Sequence, residues 1–396
     1  MKKFSYCIFI IILYVFAIIS CRPSPVNIRK GPYLIYPGNN TSMTVIWQTD
    51  GTPSHSSLEW SDTKDYINKS NNLTETGNDS DEHQFKYTIN GLKPGTKVYY
   101  RVNVENKTYE GSFMTAPEDN EKNLTFYAYG DTRNYPDIQD SVIGKLMENI
   151  ESSPEPDRCR TFCLHVGDLV DFGMKEGGWD KEYFNRDYKN LMAFQATIPL
   201  MACVGSHETY HALPYSIDHV NGGALFKKYF PYPFYIKSGL YYSFDYGPVH
   251  VVVIDNNKED YKEGSEQYKW VSRDLSLSKK LWNVALFHEP AWSAGGGHPN
   301  NKDMQPYDKL FKQYSVRIIV QGHNHYYARC QVENRHYITT GGGGVGLHNP
   351  DANLPALVTF DKTYNFVRFD ITDKTMTFTA INNEGKVIDG PVRVDN

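Results

Sequence analysis

Thiols are scarce in this 396-residue chain. Of six cysteines, Cys7 and Cys21 fall at the extreme N-terminus, leaving Cys159, Cys163, Cys203 and Cys330. The spacing in "CRTFC" fits neither a common zinc pattern nor a redox CxxC. Nothing here assigns a disulfide pair. Cys203 sits inside an apolar run and reads as a small core residue. Charge of one sign is missing too. Lys and Arg number 41 against 46 Asp and Glu, a formal net charge of -5, so there is no electrostatic case for nucleic-acid binding. No internal repeat or low-complexity tract interrupts the chain. At 40% hydrophobic and 22% charged the composition is globular, and the length suits two or three domains.

An extended apolar run opens the chain, in "MKKFSYCIFIIILYVFAIISC". A basic start followed by apolar residues from about Cys7 to Ile19 is an export signal, too short for the ~20 residues of a membrane span. The ending "IISC" is similar to a bacterial lipobox, with Ile18 where leucine is usual. Residues 1–21 are therefore expected to be a signal peptide, with acylation at Cys21 anchoring the exported protein to a membrane. Ordinary cleavage near Ser20 and an uncleaved anchor are the alternatives.

Two rhythms follow. From 25 to 117, "MTVIWQT", "SSLEW", "HQFKYTI", "KVYYRVNVE" and "YEGSFMT" alternate apolar and polar residues and are punctuated by "NGLKPGT". Short alternating strands at that spacing predict an antiparallel β-sandwich of fibronectin type III kind. "APEDNEKN" reads as a linker. From 122 to 396, continuous apolar runs alternate with amphipathic stretches around Asp137–Ile150 and Trp179–Phe194. This predicts an α/β sheet covered on both faces, with ligands at the carboxyl ends of its strands. The tail "NFVRFDITDKTMTFTAINNEGKVID" reads as a hairpin turning near Asp373-Lys374.

The apolar runs end alike: in Asp131, in Asp168, in Ser206-His207, in His288, and in His323 with His325. Taken singly, each fragment has a bland explanation. Gly-Asp at a strand end commonly makes a turn or a helix N-cap, and His288 before Pro290 can be a satisfied histidine. "GHNH" is harder to ascribe to packing. Together, carboxylate oxygen and neutral imidazole nitrogen are the donors that suit divalent zinc, iron or manganese.

The ordered set "GDTR", "GDLVD", "GSHE", "HEP" and "GHNHYYAR" resembles the calcineurin-like metallophosphoesterases, most nearly their purple acid phosphatase branch. "GPYLIYPGNNTSMTVIWQT" and "GLKPGTKVYYRV" resemble that branch's N-terminal domain. The resemblance implies an α+β / α/β chain, in which a sandwich precedes a four-layer αββα metallophosphoesterase domain. It implies two metal ions bridged by Asp168, with Asp131 and His325 on the first and His288 and His323 on the second. His207 and His298 would face the phosphate or leaving group, and the fork of Arg133 would hold a phosphate oxygen. Two positions depart from the pattern. Asp171 stands where the purple branch has tyrosine, which predicts no purple colour. Ser206 stands where the family has a ligating asparagine, which predicts weaker retention of the second metal.

The expected activity is hydrolysis of phosphomonoesters by metal-activated hydroxide, on a phosphorylated small molecule or surface substrate. Alternatives are a phosphodiesterase or nucleotide-cleaving enzyme of the same fold, and a non-catalytic surface-binding lipoprotein with a degenerate metal site.

Overall fold

The computed structural model describes residues 26–71, 73–75, 83–210, 221–237 and 239–396. The segment expected to be a signal peptide, with the acylation expected at Cys21, lies outside the described residues. No helix among the described residues is long and apolar enough to cross a membrane.

The first part of the chain folds into two antiparallel four-stranded sheets. One runs in the order Ile28–Ile35, Met43–Thr49, His83–Ile89, Thr74–Glu75, the other Asn68–Ser70, Ser56–Ser61, Lys97–Val104, Lys107–Met114. Strict alternation explains the pairing of faces. In Lys97–Val104 the side chains of Val98, Tyr100, Val102 and Val104 are buried while those between them are partly exposed. They meet Val45, Trp47 and Phe85 from the facing sheet, with Trp47 stacked on Phe85 at 5.8 Å. Each such side chain contributes about 1.5–3 kcal/mol by leaving water.

Two larger sheets follow. The first runs Leu200–Ala202, Cys163–His165, Asn123–Tyr129, Asn365–Thr372, Thr375–Asn382, Val387–Asp395. Its first three strands are parallel, and the C-terminal meander joins antiparallel to Asn123–Tyr129. The second runs Tyr242–Tyr246, Val249–Val253, Trp282–Leu286, Val316–Gln321, Arg335–Thr340, Tyr327–Val332, Leu357–Asp361, with the second to fifth strands parallel. Val251 and Val253 turn inward to the core shared with Phe126 and Ala128, whereas Val252 turns outward. Phe126 stacks on Phe162 at 5.0 Å and on Phe369 at 4.6 Å between the sheets. Helix Pro136–Glu151 buries Gln139, Val142, Ile143, Leu146 and Ile150, the spacing of one helical face, against the first sheet. Helix Glu266–Leu277 starts at Ser265, whose hydroxyl accepts the Tyr268 amide at 3.1 Å, and buries Val271 and Leu275 on the second sheet. The layers are helix, sheet, sheet, helix.

The sandwich and the layered part share one core. Tyr33, Ile35, Tyr36 and Ile46 belong to the cluster that holds Phe126, Phe230 and Phe244. Lys30, fully buried, lies 2.7 Å from Asp180, and the Tyr100 hydroxyl donates to Ala196 O at 3.0 Å.

One expectation needs correction, and another is borne out and extended. The stretch Trp179–Phe194 is two short helices, Glu176–Lys181 and Lys189–Gln195. Glu182 leaves helical geometry (φ -114°, ψ -94°), and its carboxylate accepts the amides of Asn134 and Asp171. The tail does turn at Asp373-Lys374, with Thr372 facing Thr375, but a third strand, Val387–Asp395, extends the hairpin. Cys159, Cys163, Cys203 and Cys330 are all buried free thiols.

Candidate metal centre

Within each sheet the parallel strands point their carboxyl ends one way, and the contacts of Asp131 with His323 and of Asp168 with His288 bring the segments after Tyr129, His165, Ala202, Leu286 and Gln321 together in one place. Asp131, Asp168, Ser206, His207, His288, His323 and His325 are all carried there. Asp131, Asp168 and His323 have left-handed backbones (φ 55°, 53° and 66°), a conformation costly for residues with a Cβ. The glycines preceding the motifs make the approach possible. A Cβ on Gly205 would lie 2.2 Å from the Asp168 amide, and one on Gly322 would lie 2.5 Å from Asp131 Oδ2.

Donor atoms converge. Single ligand atoms of Asp168, His288 and His323 all lie within 4.8 Å of one another. His288 Nε2 is 3.3 Å from Asp168 Oδ1 and 3.1 Å from His323 Nδ1. His325 Nε2 is 3.9 Å from Asp131 Oδ1. Ser206 Oγ is 3.4 Å from Asp168 Oδ1, and the His207 amide donates to the same oxygen at 3.0 Å. Arg133 Nε is 3.5 Å from Asp168 Oδ2. His298 arrives from a separate loop and stacks on His323 at 3.8 Å.

Cations fit these residues. His288 Nδ1 donates to Val166 O at 2.7 Å and His325 Nδ1 to Gly346 O at 2.9 Å, which leaves Nε2 of each ring as a lone pair facing a carboxylate. His325 Nε2 is buried and has no hydrogen-bond partner. Protonation follows the same logic. Burial pushes His288, His323 and His325 down, His325 to about 2 with help from His348, so the rings stay neutral. Burial and the charge of Asp168 push Asp131 up. Burial works against ionised Asp168 as well, but the Arg133 guanidinium beside it and the His207 amide that it accepts favour the ionised form. Paired buried carboxylates beside neutral imidazoles form a cradle short of positive charge.

The roles of several supporting residues could not be read from the sequence. Glu208 accepts four amides: Gly205 at 2.8 Å, Leu169 at 2.9 Å, Asp168 at 3.0 Å and Val170 at 3.4 Å. It thereby clips "GSHE" to "GDLVD", and burial with the charge of Asp168 pushes it up to about 8. Asn324, between the two histidines of "GHNH", accepts the His298 amide at 2.8 Å and donates to Ser293 Oγ at 2.9 Å, tethering the His298 loop. His348 stacks on His325 at 3.8 Å, and its Nδ1 accepts the His325 amide at 3.2 Å. A cavity of about 680 Å³ lined by Asp245, His250, Asp274 and Lys280 contains none of the motif residues.

Residues 124–327 match the calcineurin-like phosphoesterase family, and residues 30–115 match the purple acid phosphatase N-terminal domain. The chain belongs to the calcineurin-like phosphoesterase family, a class of metal-dependent phosphoester hydrolases. Its likeness within that family is to purple acid phosphatases. The purple acid phosphatase of Glycine max is 25% identical over 394 residues, covering 89% of this chain and 80% of that protein. Probable purple acid phosphatase 20 of Arabidopsis thaliana is 28% identical over 61% of this chain, a match that spans 54% of its own length. The solved structure of purple acid phosphatase PPD1 from yellow lupin seeds superposes with a TM-score of 0.76 at 17% identity, covering 94% of this chain and 75% of that one. Proteins of this kind use a dinuclear metal centre.

Proposed function

We propose that the protein is an exported phosphoesterase that hydrolyses phosphomonoesters at a dinuclear centre. The observation that carries this reading is the pair of clamped imidazoles: His288 and His325 each spend Nδ1 on a backbone carbonyl and turn Nε2 to a buried carboxylate. Asp131 and His325 would hold one cation, His288 and His323 with Ser206 the other, and Asp168 both. Cations of zinc, iron or manganese bound there supply a water of lowered pKa and positive charge for phosphate oxygens.

The remaining roles belong to this chain's own groups. Arg133 offers a planar fork to a non-bridging oxygen. His207 donates Nδ1 to Asp171 O at 2.7 Å, which orients the ring so that a protonated Nε2 can deliver a proton to the departing oxygen. His298 serves the same side from its tethered loop. The division of the chain into 1–21, 25–117 and 122–396, the fibronectin type III kinship of the sandwich, and acylation at Cys21 belong to the same proposal.

Elemental analysis of the purified protein, paired with aryl phosphate mono- and diesters, tests it. The expected result is about two transition-metal ions per chain and turnover of the monoester. Full metal occupancy with no turnover of either ester would leave a non-catalytic binding lipoprotein.

A further inference from the structure

Over the buried donor set lies a partly exposed layer. The side chains of Arg133, Asp171 and His207 are 16%, 22% and 14% exposed, against 1% for Asp168 and 0% for His288. Asp171 Oδ1 is 3.5 Å from Arg133 Nη1 and 3.4 Å from His207 Nδ1. That spacing is held from behind. Glu182 Oε2 accepts the Asn134 amide at 2.7 Å and the Asp171 amide at 3.0 Å, so the loops carrying Arg133 and Asp171 are pinned to one carboxylate. Arg133 Nη1 donates to Asn134 Oδ1 at 2.8 Å, while its buried Nε has no hydrogen-bond partner.

Resting on the phosphoesterase reading above, we propose that Asp171 determines specificity by charge, setting the preference between dianionic phosphomonoesters and monoanionic phosphodiesters. Coulomb energy scales with the substrate's charge, so a fixed carboxylate beside the phosphate-binding guanidinium penalises a dianion twice as much as a monoanion. Asp171 also offsets the positive charge of Arg133 and draws on one arm of its fork. The site therefore accepts diesters more readily than it would without this acid.

The test compares 4-nitrophenyl phosphate with bis(4-nitrophenyl) phosphate on the metal-loaded protein, at a pH where the monoester is fully dianionic. Asp171→Asn is expected to raise the monoester-to-diester ratio of kcat/KM about tenfold, through a lower monoester KM. The inhibition constant of inorganic phosphate should fall by a similar factor, and Asp171→Glu should keep the wild-type ratio. Arg133→Gln, which leaves Asp171 in place, should lower the ratio. If Asp171→Asn leaves both the ratio and phosphate inhibition unchanged, or slows both esters equally, the inference is overturned while the phosphoesterase reading stands. If the wild type cleaves neither ester, that reading fails and takes the inference with it.

Discussion

Two kinds of buried histidine occupy this molecule, and their surroundings drive them to opposite charge states. His250, on strand Val249–Val253, lies between two carboxylates, with Nδ1 2.7 Å from Asp245 and Nε2 2.9 Å from Asp274. Burial disfavours its cation, yet the two acids push its pKa up to about 9. Buried His325 and half-buried His348 face no such pairing and are pushed down, first by burial, to about 2 and about 4. Burial without an acid partner on both nitrogens, helped by neighbouring imidazoles, makes an imidazole a lone-pair donor, whereas a carboxylate on each nitrogen makes it a structural cation. The donor set of the candidate centre is of the first kind.

The most severe way to break this contrast is His288→Ala. It removes a ring that touches Asp168 and His323, and hydrolysis is expected to fall by about a thousandfold or more with circular dichroism unchanged. A wild-type rate would refute the ligand assignment. His348→Ala is milder, because it removes the support of His325 rather than a donor. Metal affinity should weaken about 10- to 100-fold, measured by chelator competition, and His348→Gln should recover part of it. Next in size is His250→Gln. The wild-type pKa is raised above the unfolded value of about 6.5, so the stabilisation is fully present below that pH and lost as pH rises through about 9. Denaturant melts at pH 6 should show the variant less stable by about 1–2 kcal/mol, with the gap closing by about pH 10. A gap independent of pH would contradict the charged assignment. The smallest effect is expected from Ser206→Asn, which offers an amide oxygen beside Asp168. Metal retained after dialysis should rise a few-fold, a change of about 1 kcal/mol or less.

What could be read from the residues alone was whatever local order encodes. Alternating runs such as Lys97–Val104 announce their own faces, and the motif side chains stand next to the glycines that end their strands. Asp131, Asp168 and His323 follow such glycines directly, while His288 and His325 were placed by the order of the strand-end motifs. The supporting roles of Glu208, Asn324, Glu182 and His348 were not legible, because each acts on a segment distant in sequence. Glu208 reaches amides 38 to 40 residues away, and His348 sits 23 residues from the ring it supports. The helix expected through Glu182 failed for a related reason: its carboxylate is claimed by two loop amides, a tertiary demand that overrides helix propensity. The short edge strand Asn68–Ser70 is too exposed to leave a pattern, and Thr74–Glu75 is only two residues long.

The shared core between the sandwich and the layered sheets has a practical consequence. A chain begun at residue 122 would strip both Arg29 and Lys30 from Asp180 and uncover the surface that Tyr33, Ile35 and Ile46 now seal. Such a truncation is expected to give a sticky, self-associating fragment rather than a smaller folded protein. The intact protein is expected to melt in a single calorimetric transition, because apolar side chains of both parts pack into one cluster.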